Sequence, residues 1–331
     1  MNDSAGLMDV ALVVIGRNEG ERLRRCLGSV TAQLNVVVYV DSGSTDGSTE
    51  WVAGQGSQVV DLDLSKPFTA ARARNAGAAR VFELASSVRY VQFIDGDCEL
   101  APEWLEQAKA YLELNPGVVA VFGRLRERHP DRSIYNQMCD IEWDTPVGPT
   151  RYFGGIVMIR AMAFREAGGF RDDLIAGEEP ELAIRLRNAG GLLSRIDFEM
   201  ARHDADITRF SQWWRRSVRA GYAYALGASI HGAPPERHWV RESRRSWIWG
   251  FFVPAFGVLS ALTGNVEFAI TVLIVFVVQW FRLFIRCPGD RRLRLVSATF
   301  LIIGKFAEFT GKVRFLWHRF AMKKARLIEY K

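Results

Sequence analysis

Four short apolar runs, the first three each followed by a stretch that reads as a helix, constrain the fold of this chain more than any other feature. The runs are VALVVIG (10–16), VVVYV (36–40), YVQFI (90–94) and GVVAVFG (117–123). Such runs are typical of strands that are buried on both faces of a parallel sheet. After the first run, Leu23, Leu27 and Val30 recur at helical spacing with charged residues between them. The alternation predicts an α/β fold, a Rossmann-like and mostly parallel sheet with helices on both faces.

The second constraint is a change of composition after Arg245. Residues 246–263 contain no charged side chain, and neither do residues 268–281. Each stretch is close in length to the roughly 17–25 residues of a membrane-spanning helix, and arginines flank the pair on both outer sides. The pattern predicts a helical hairpin at about 246–285 with both outer ends in the cytoplasm. Core helices of a soluble domain are the alternative, because a proline and a glutamate interrupt the two spans.

Basic charge is concentrated at the C-terminal end of the chain. From Arg282 to Lys331 there are 13 lysines and arginines against 3 acidic residues, although the net charge of the whole chain is only +6. Basic residues beside apolar segments favour membrane lipids, and not nucleic acid, as partners. Residues at about 295–320 have the pattern of an amphipathic, interfacial or re-entrant segment, and a basic tail follows. We therefore expect an α/β domain at 1–235 and a membrane-associated region at 236–331.

The N-terminus and the cysteines indicate the compartment. The segment MNDSAGLMDV has no basic part followed by an apolar one, so we expect no signal peptide. The four cysteines are scattered without zinc-ligand or paired spacing, which predicts reduced thiols in a cytosolic setting. These features predict an α/β domain in the cytosol, held at the inner (cytoplasmic) membrane. Exposed hairpins and amphipathic helices often associate, so a homo-oligomer is an open alternative.

Three Asp-x-Asp pairs occur in the chain, and only their positions distinguish them. They are Asp61/Asp63, Asp95/Asp97 and Asp204/Asp206. The second pair follows the run 90–94 directly, and polar residues also follow the runs at 10–16 and 36–40. Ligands of parallel sheets bind beyond the carboxyl ends of the strands. We therefore expect one edge of the sheet to carry a site that includes Asn18, Glu19, Asp41, Asp95 and Asp97.

Two adjacent carboxylates at the end of a buried strand are costly unless something neutralises them. Carboxylate oxygens suit Mg²⁺ or Mn²⁺, which keep positions open for phosphate oxygens, and a metal-bridged diphosphate is a competent leaving group. Asp41 can accept a hydrogen bond from a base or a ribose hydroxyl, and Arg72 and Arg74 in ARARN suit a base or a phosphate. The alternatives are solvated carboxylates, helix caps and a solvated helix face.

Five segments occur in an order that resembles a known family. They are VVIGRNEGERLRRCLGSV, VYVDSGSTDGS, ARARNAGAA, YVQFIDGDCEL and GEEPELAIRLRNAGG. Together they resemble the family 2 glycosyltransferases of the GT-A fold over roughly residues 9–230. In that family the first strand and its Asn-Glu turn line the nucleotide pocket, and the Asp-x-Asp pair binds ribose, metal and diphosphate. The resemblance implies a nucleotide-sugar site that includes Asn18, Glu19, Asp41, Arg72, Arg74, Asn75 and Asp95, with Asp95 and Asp97 as metal ligands.

The same resemblance implies a general base in the segment GEEPEL. The family often has an aspartate where this chain has Glu179, and a glutamate can equally accept a proton from an attacking hydroxyl. Glu178 and Glu181 are alternatives, so the assignment within the trio stays open. Gly154–Gly155 stands where the family backbone approaches the donor sugar and the acceptor. His203 stands where related enzymes have a histidine that completes the metal site.

The resemblance therefore implies a membrane-anchored, inverting glycosyltransferase. A UDP- or GDP-sugar, with Mg²⁺ or Mn²⁺, would supply a sugar to a hydroxyl of a lipid-linked or saccharide acceptor in glycan or polysaccharide biosynthesis. The lipid linkage of the acceptor is inferred from the hairpin alone. A metal-dependent phosphohydrolase, a nucleotidyltransferase with the same acidic cluster and a non-catalytic membrane scaffold are the alternatives.

Overall fold

The computed structural model describes residues 4–30 and 34–321, which fall into two compact units. Unit 1 comprises Met1–Asp131 and Glu142–Asp206, and unit 2 comprises Arg132–Ile141 and Ile207–Lys331. The division at Asp206 lies before the boundary that we expected at 235. The basic tail from residue 322 onward lies outside the described residues.

Unit 1 is built on a mixed sheet of nine described strands. They are β1 (Val10–Gly16), β2 (Val36–Asp41), β3 (Gln58–Asp61), β4 (Tyr90–Asp95), β5 (Cys98–Leu100), β6 (Val118–Glu127), β7 (Gly148–Thr150), β8 (Val157–Arg160) and β9 (Leu192–His203). The sheet order is β3-β2-β1-β4-β8-β6-β9-β5, with β7 paired to β9. The first four strands of this order are parallel, as the apolar runs predicted. The later strands add antiparallel pairs, because β8 runs against both β4 and β6, and β9 runs against β5 and β7.

The register of the central strands brings the predicted site residues to one edge. Gly16 at the end of β1 is paired with Asp41 at the end of β2. On the other side of β1, Ile15 is paired with Asp95 at the end of β4. The loops that follow β1, β2 and β4 therefore start side by side, which confirms the expected arrangement of the strand ends.

The helices of the chain follow the predicted alternation with the strands. They are α1 (Glu21–Gly28), α2 (Ser48–Gly54), α3 (Ala70–Leu84), α4 (Trp104–Leu114), α5 (Ile134–Glu142), α6 (Ala161–Glu166), α7 (Glu178–Asn188), α8 (Phe210–His231), α9 (Val240–Trp247), α10 (Val253–Leu262), α11 (Val266–Arg286) and α12 (Arg291–Phe320). Of these, α3 lies closest to the strands that carry the site. A Cβ on Gly77 would lie 2.9 Å from Cγ2 of Val40, so only glycine permits this approach. Arg74, three residues earlier, lies on the same face of α3 and points toward the strand ends.

Unit 2 is helical, and α8 belongs to it because it packs along α12. A Cβ on Gly221 of α8 would collide with the backbone at Glu308, and one on Gly311 of α12 would collide with the backbone at Val218. Glycines at both crossing points let the two helices approach closely. This packing explains why the compact division falls before α8 and not after it.

Two helical segments of unit 2 are long and apolar enough to cross a membrane. The first is Val240–Leu262, which contains α9, a π-helical stretch (Ile248–Phe252) and α10, and the second is α11. None of the residues of α11 is buried. The structure therefore contains the predicted hairpin as two helices joined by a short turn. Residues 295–320 lie within the uninterrupted helix α12. An unbroken helix has no re-entrant turn, so of the expected alternatives the amphipathic, interfacial segment remains.

Candidate active site

Asn18 and Asp41 organise the loops at the ends of β1 and β2. The amide N–H of Asn18 donates to Oγ of Ser44 at 2.9 Å, and Oδ1 of Asn18 accepts from the amide of Thr45 at 2.8 Å. Asp41 is buried, and its Oδ2 accepts from the amides of Gly43 (2.8 Å) and Ser44 (2.7 Å). These hydrogen bonds connect the loop after β1 to the loop after β2 and hold both loops at the carboxyl ends of the strands.

The second carboxylate of the chosen pair lies against a histidine from a distant part of the chain. Nε2 of His203 lies 3.2 Å from Oδ2 of Asp97. The antiparallel pairing of β5 with β9 creates this contact, because it sets Cys98 directly opposite His203. The indole of Trp143 stacks on the imidazole with ring centroids 4.8 Å apart and restricts its orientation. His203 therefore lies beside Asp97, and its role in completing a metal site stays a prediction.

The donor set around Asp97 fits a hard divalent cation. Asp97, Cys98 and His203 each offer one ligand atom, and these atoms lie within 4.8 Å of one another. Burial raises the pKa of the Cys98 thiol well above its usual value, so it stays protonated and donates to Oδ1 of Asp97 at 3.3 Å. The remaining donors are a carboxylate oxygen and an imidazole nitrogen, which suit Mn²⁺ or Mg²⁺ better than a thiolate-binding metal.

Arg74 joins the first carboxylate of the pair to the acidic segment at the start of α7. Its guanidinium lies 2.9 Å from Asp95, 2.9 Å from Glu178 and 3.3 Å from Glu179. Only 3% of the Arg74 side chain is exposed. The sequence placed Arg74 among the residues for a base or phosphate, whereas the structure uses its charge to hold three carboxylates together.

The three glutamates of GEEPEL have different environments, although the sequence left the choice of the general base among them open. Glu178 is buried and paired with Arg74, and Glu181 forms a two-pronged ion pair with Arg185 at 2.6–3.0 Å. Glu179 keeps 17% of its side chain exposed. Burial, reinforced by the neighbouring charge of Glu178, raises the pKa of Glu179 to about 7. Among the three, Glu179 is the carboxylate that combines access with the pKa of a general base.

Gly155 lies where the acidic groups converge. A Cβ at this position would lie 3.1 Å from Oδ2 of Asp95 and 3.4 Å from Oε1 of Glu179, and it would collide with the guanidinium of Arg74. Glycine therefore leaves the space between Asp95 and Glu179 open. That the backbone at 154–155 approaches the donor sugar and the acceptor stays a prediction.

Three further residues of the predicted site contact neighbouring segments of the protein. Arg72 donates to the carbonyls of Lys66, Pro67 and Asp63 at 2.7–3.1 Å and shapes the loop before α3. Asn75 donates to Phe170 O (2.8 Å) and Asp172 Oδ1 (2.7 Å) and accepts from the amide of Phe170, which fixes the loop before α7. Glu19 lies 2.8 Å from Arg22 and packs beside Gly96. The sequence missed Trp143, because stacking between distant segments leaves no local pattern.

The fold and the match to a family model identify the α/β domain as a glycosyltransferase domain of the GT-A type. Residues 11–166 match the model of Glycosyl transferase family 2, and the α/β domain belongs to that family. The family to which the sequence motifs pointed is thereby confirmed.

Relatives with curated names are similar over about two thirds or more of the chain. Glycosyltransferase AglE of Haloferax volcanii is 25% identical over 268 residues, which cover 71% of this chain and 85% of that protein. The pre-mycofactocin glycosyltransferase of Mycobacterium tuberculosis is 26% identical over 234 residues, and the chain spans about half (48%) of its length. Similarity at this level does not transfer substrates from these proteins to this chain.

A solved structure has the same fold over nearly the whole chain. The mannosyltransferase PcManGT from Pyrobaculum calidifontis, solved in complex with GDP-Man and Mn²⁺, matches with a TM-score of 0.60. The match covers 94% of this chain and 88% of that chain at 17% identity. The similarity extends through both units and confirms the predicted GT-A fold.

Proposed function

We propose that the enzyme transfers a sugar from a nucleoside-diphosphate sugar to an acceptor hydroxyl with inversion at the anomeric carbon. The observation that carries the proposal is the convergence of Asp95, Gly155 and Glu179 beside the Asp97–His203 pair. A sugar held in the open space at Gly155 would have the base Glu179 on one side and Asp95, two residues before the proposed metal ligand Asp97, on the other. The GDP-Man and Mn²⁺ bound to PcManGT support this class of donor and metal.

In the proposed reaction Glu179 accepts the proton of the acceptor hydroxyl while that oxygen attacks the anomeric carbon. The bond to the diphosphate oxygen breaks in the same displacement, and its electron pair leaves with the nucleoside diphosphate. Asp97 and His203 would hold Mg²⁺ or Mn²⁺, which when bound stabilises the negative charge of the leaving diphosphate. Arg74 holds Glu178 and Asp95 in place through its two shorter ion pairs, and its longer contact with Glu179 leaves that more exposed carboxylate to take the proton.

We also propose that unit 2 holds the enzyme at the inner (cytoplasmic) membrane with the α/β domain in the cytosol. The two apolar segments Val240–Leu262 and Val266–Arg286 support this location, because the exposed side chains of the second need an apolar environment. An enzyme fixed at the bilayer surface is suited to a lipid-linked acceptor, with a soluble saccharide as the alternative. The phosphohydrolase alternative loses support, because Asp95 is ion-paired with Arg74 and is a poor nucleophile in that state.

A donor-binding assay tests the proposal. Purified full-length protein is incubated with UDP- and GDP-sugars and Mn²⁺, and binding and transfer to prenyl phosphate and saccharide acceptors are measured. We expect Mn²⁺-dependent binding of at least one donor, weakened about tenfold or more in Asp97→Asn, because loss of a metal ligand removes the site for the diphosphate. Asp63→Asn is the matched control, since Asp63 belongs to another Asp-x-Asp pair and lies on the surface. Absence of binding and turnover with every donor would refute the transferase proposal.

The raised pKa of Glu179 predicts how activity depends on pH. A base must be deprotonated, so kcat/KM should rise with pH through an apparent pKa of about 7 and level off above it. The rate should fall about tenfold for each pH unit below that value, because the deprotonated fraction of the base falls in that proportion. The profile is measured with saturating metal at each pH. A rate that stays constant from pH 5 to pH 8 contradicts the assignment of Glu179 as the base.

A further inference from the structure

A cavity of about 310 Å³ lies among α9, α11, α12 and the π-helical stretch of unit 2, apart from the candidate active site. None of the candidate active-site residues lines it. Four cationic side chains and two aromatic ones form much of its wall: Arg245, Arg282, Arg286, Lys305, Trp249 and Phe276. No carboxylate lines the cavity. It therefore combines concentrated positive charge with an apolar surface.

Only part of this charge is compensated by the protein. Nζ of Lys305 lies 2.6 Å and 2.7 Å from the two carboxylate oxygens of Glu308, so the lysine has its countercharge. No described carboxylate lies within ion-pair distance of Arg245, Arg282 or Arg286. Three like charges around one cavity repel one another, and a bound anion would remove that repulsion. The cavity therefore favours an anionic ligand.

The arginines lie at the ends of the two candidate spans. Arg245 is near the start of Val240–Leu262, and Arg282 and Arg286 end the second span, one helical turn apart on one face of α11. The outer ends of the hairpin thus line the same cavity, at the level where a spanning hairpin meets lipid headgroups. Trp249 is suited to this level, because tryptophan favours the interface between headgroups and acyl chains.

We propose that this cavity binds the phosphate group of an anionic membrane lipid. Guanidinium groups bind phosphate oxygens with paired, charge-assisted hydrogen bonds, and the aromatic wall suits the start of the acyl chains. A free phosphate ion would also bind the guanidinium groups, but it would not contact the aromatic wall. The exposed apolar side chains of α11 would place bilayer lipid next to the cavity. The proposal rests on the proposed membrane location and is independent of the transfer chemistry.

Lipid retention by the full-length protein tests the proposal. Native mass spectrometry of the protein in detergent, titrated with phosphatidylglycerol or phosphatidylcholine, counts the lipids that each protein keeps. We expect one phosphatidylglycerol to be retained in preference to phosphatidylcholine. In Arg282→Gln/Arg286→Gln its apparent Kd should rise tenfold or more, since the change removes two charge-assisted partners of the phosphate. Arg291→Gln/Arg292→Gln is the matched control, because it removes the same charge from exposed positions outside the cavity.

Several results would overturn the proposal. Equal weakening in both double variants would show general attraction to anionic lipid without a site. Displacement of the lipid by millimolar inorganic phosphate would show a phosphate site that does not require the lipid. A single-residue comparison, Arg245→Gln against its neighbour Arg244→Gln, checks the result if a double variant is poorly folded, and equal retention in that pair also counts against the site. Failure of the wild-type protein to float with vesicles would refute the membrane location, whereas the transferase proposal depends on the donor assay alone.

Discussion

Replacing Glu179 by glutamine is expected to lower kcat about 10²–10⁴-fold, the usual contribution of a positioned general base. Glutamine has nearly the same shape and can still accept a hydrogen bond from Arg74, but it cannot take the proton of the acceptor hydroxyl. Donor binding should change little, because the proposed metal ligands, Asp97 and His203, are untouched. Single-turnover transfer and donor binding, measured on the same preparation, separate the two effects.

Glu181→Gln provides the control for this substitution. Glu181 stands in the same first turn of α7, but its carboxylate is held by Arg185. We expect Glu181→Gln to lower the thermal stability somewhat and to leave the proton-transfer step intact. The assignment fails if Glu179→Gln keeps wild-type turnover, or if the two glutamine variants lose kcat to the same extent.

The edge of the sheet that carries the site was predictable from the sequence. Apolar runs that end in polar residues require no long-range information, and the pairing of Gly16 with Asp41 and of Ile15 with Asp95 follows from neighbouring parallel strands. Position relative to these strand ends distinguished Asp95 and Asp97 from the two other Asp-x-Asp pairs. Local pattern and the geometry of parallel strands sufficed for this part of the site.

The partners of these side chains were not predictable in the same way. Arg74 and Glu178 are 104 residues apart, and Asp97 and His203 are 106 residues apart. Which arginine of ARARN turns inward depends on the close approach of α3 at Gly77, which the spacing of charges does not reveal. The antiparallel pairing of the strands after β4 was missed for a related reason, because the paired strands are distant in sequence. Residues that act through tertiary contacts therefore require the structure.

Arg74 is the position at which substitution should disturb both the fold and the activity most. Its guanidinium is buried among Asp95, Glu178 and Glu179, so Arg74→Gln leaves carboxylates without a countercharge. Removing one partner of a buried ion pair costs about 3–5 kcal/mol, and we expect a clear fall in Tm, measured on the full-length protein in detergent. Arg72→Gln is the matched control, because Arg72 lies on the same helix, is only half-buried and has a side chain that contacts loop carbonyls. Its effect on Tm should be much smaller.

The pH profile distinguishes a role in positioning the base from one in stability alone. The positive charge of Arg74 lowers the pKa of Glu179, against burial and the charge of Glu178, which raise it. Weakening that charge contact should move the rising limb of kcat/KM to higher pH, because Glu179 then holds its proton more tightly. Arg74→Lys keeps the charge without the fork of donors, so it should fold better than Arg74→Gln and shift the profile less. A profile identical to wild type in a folded Arg74→Gln protein would show that Arg74 supports the fold and does not tune the base.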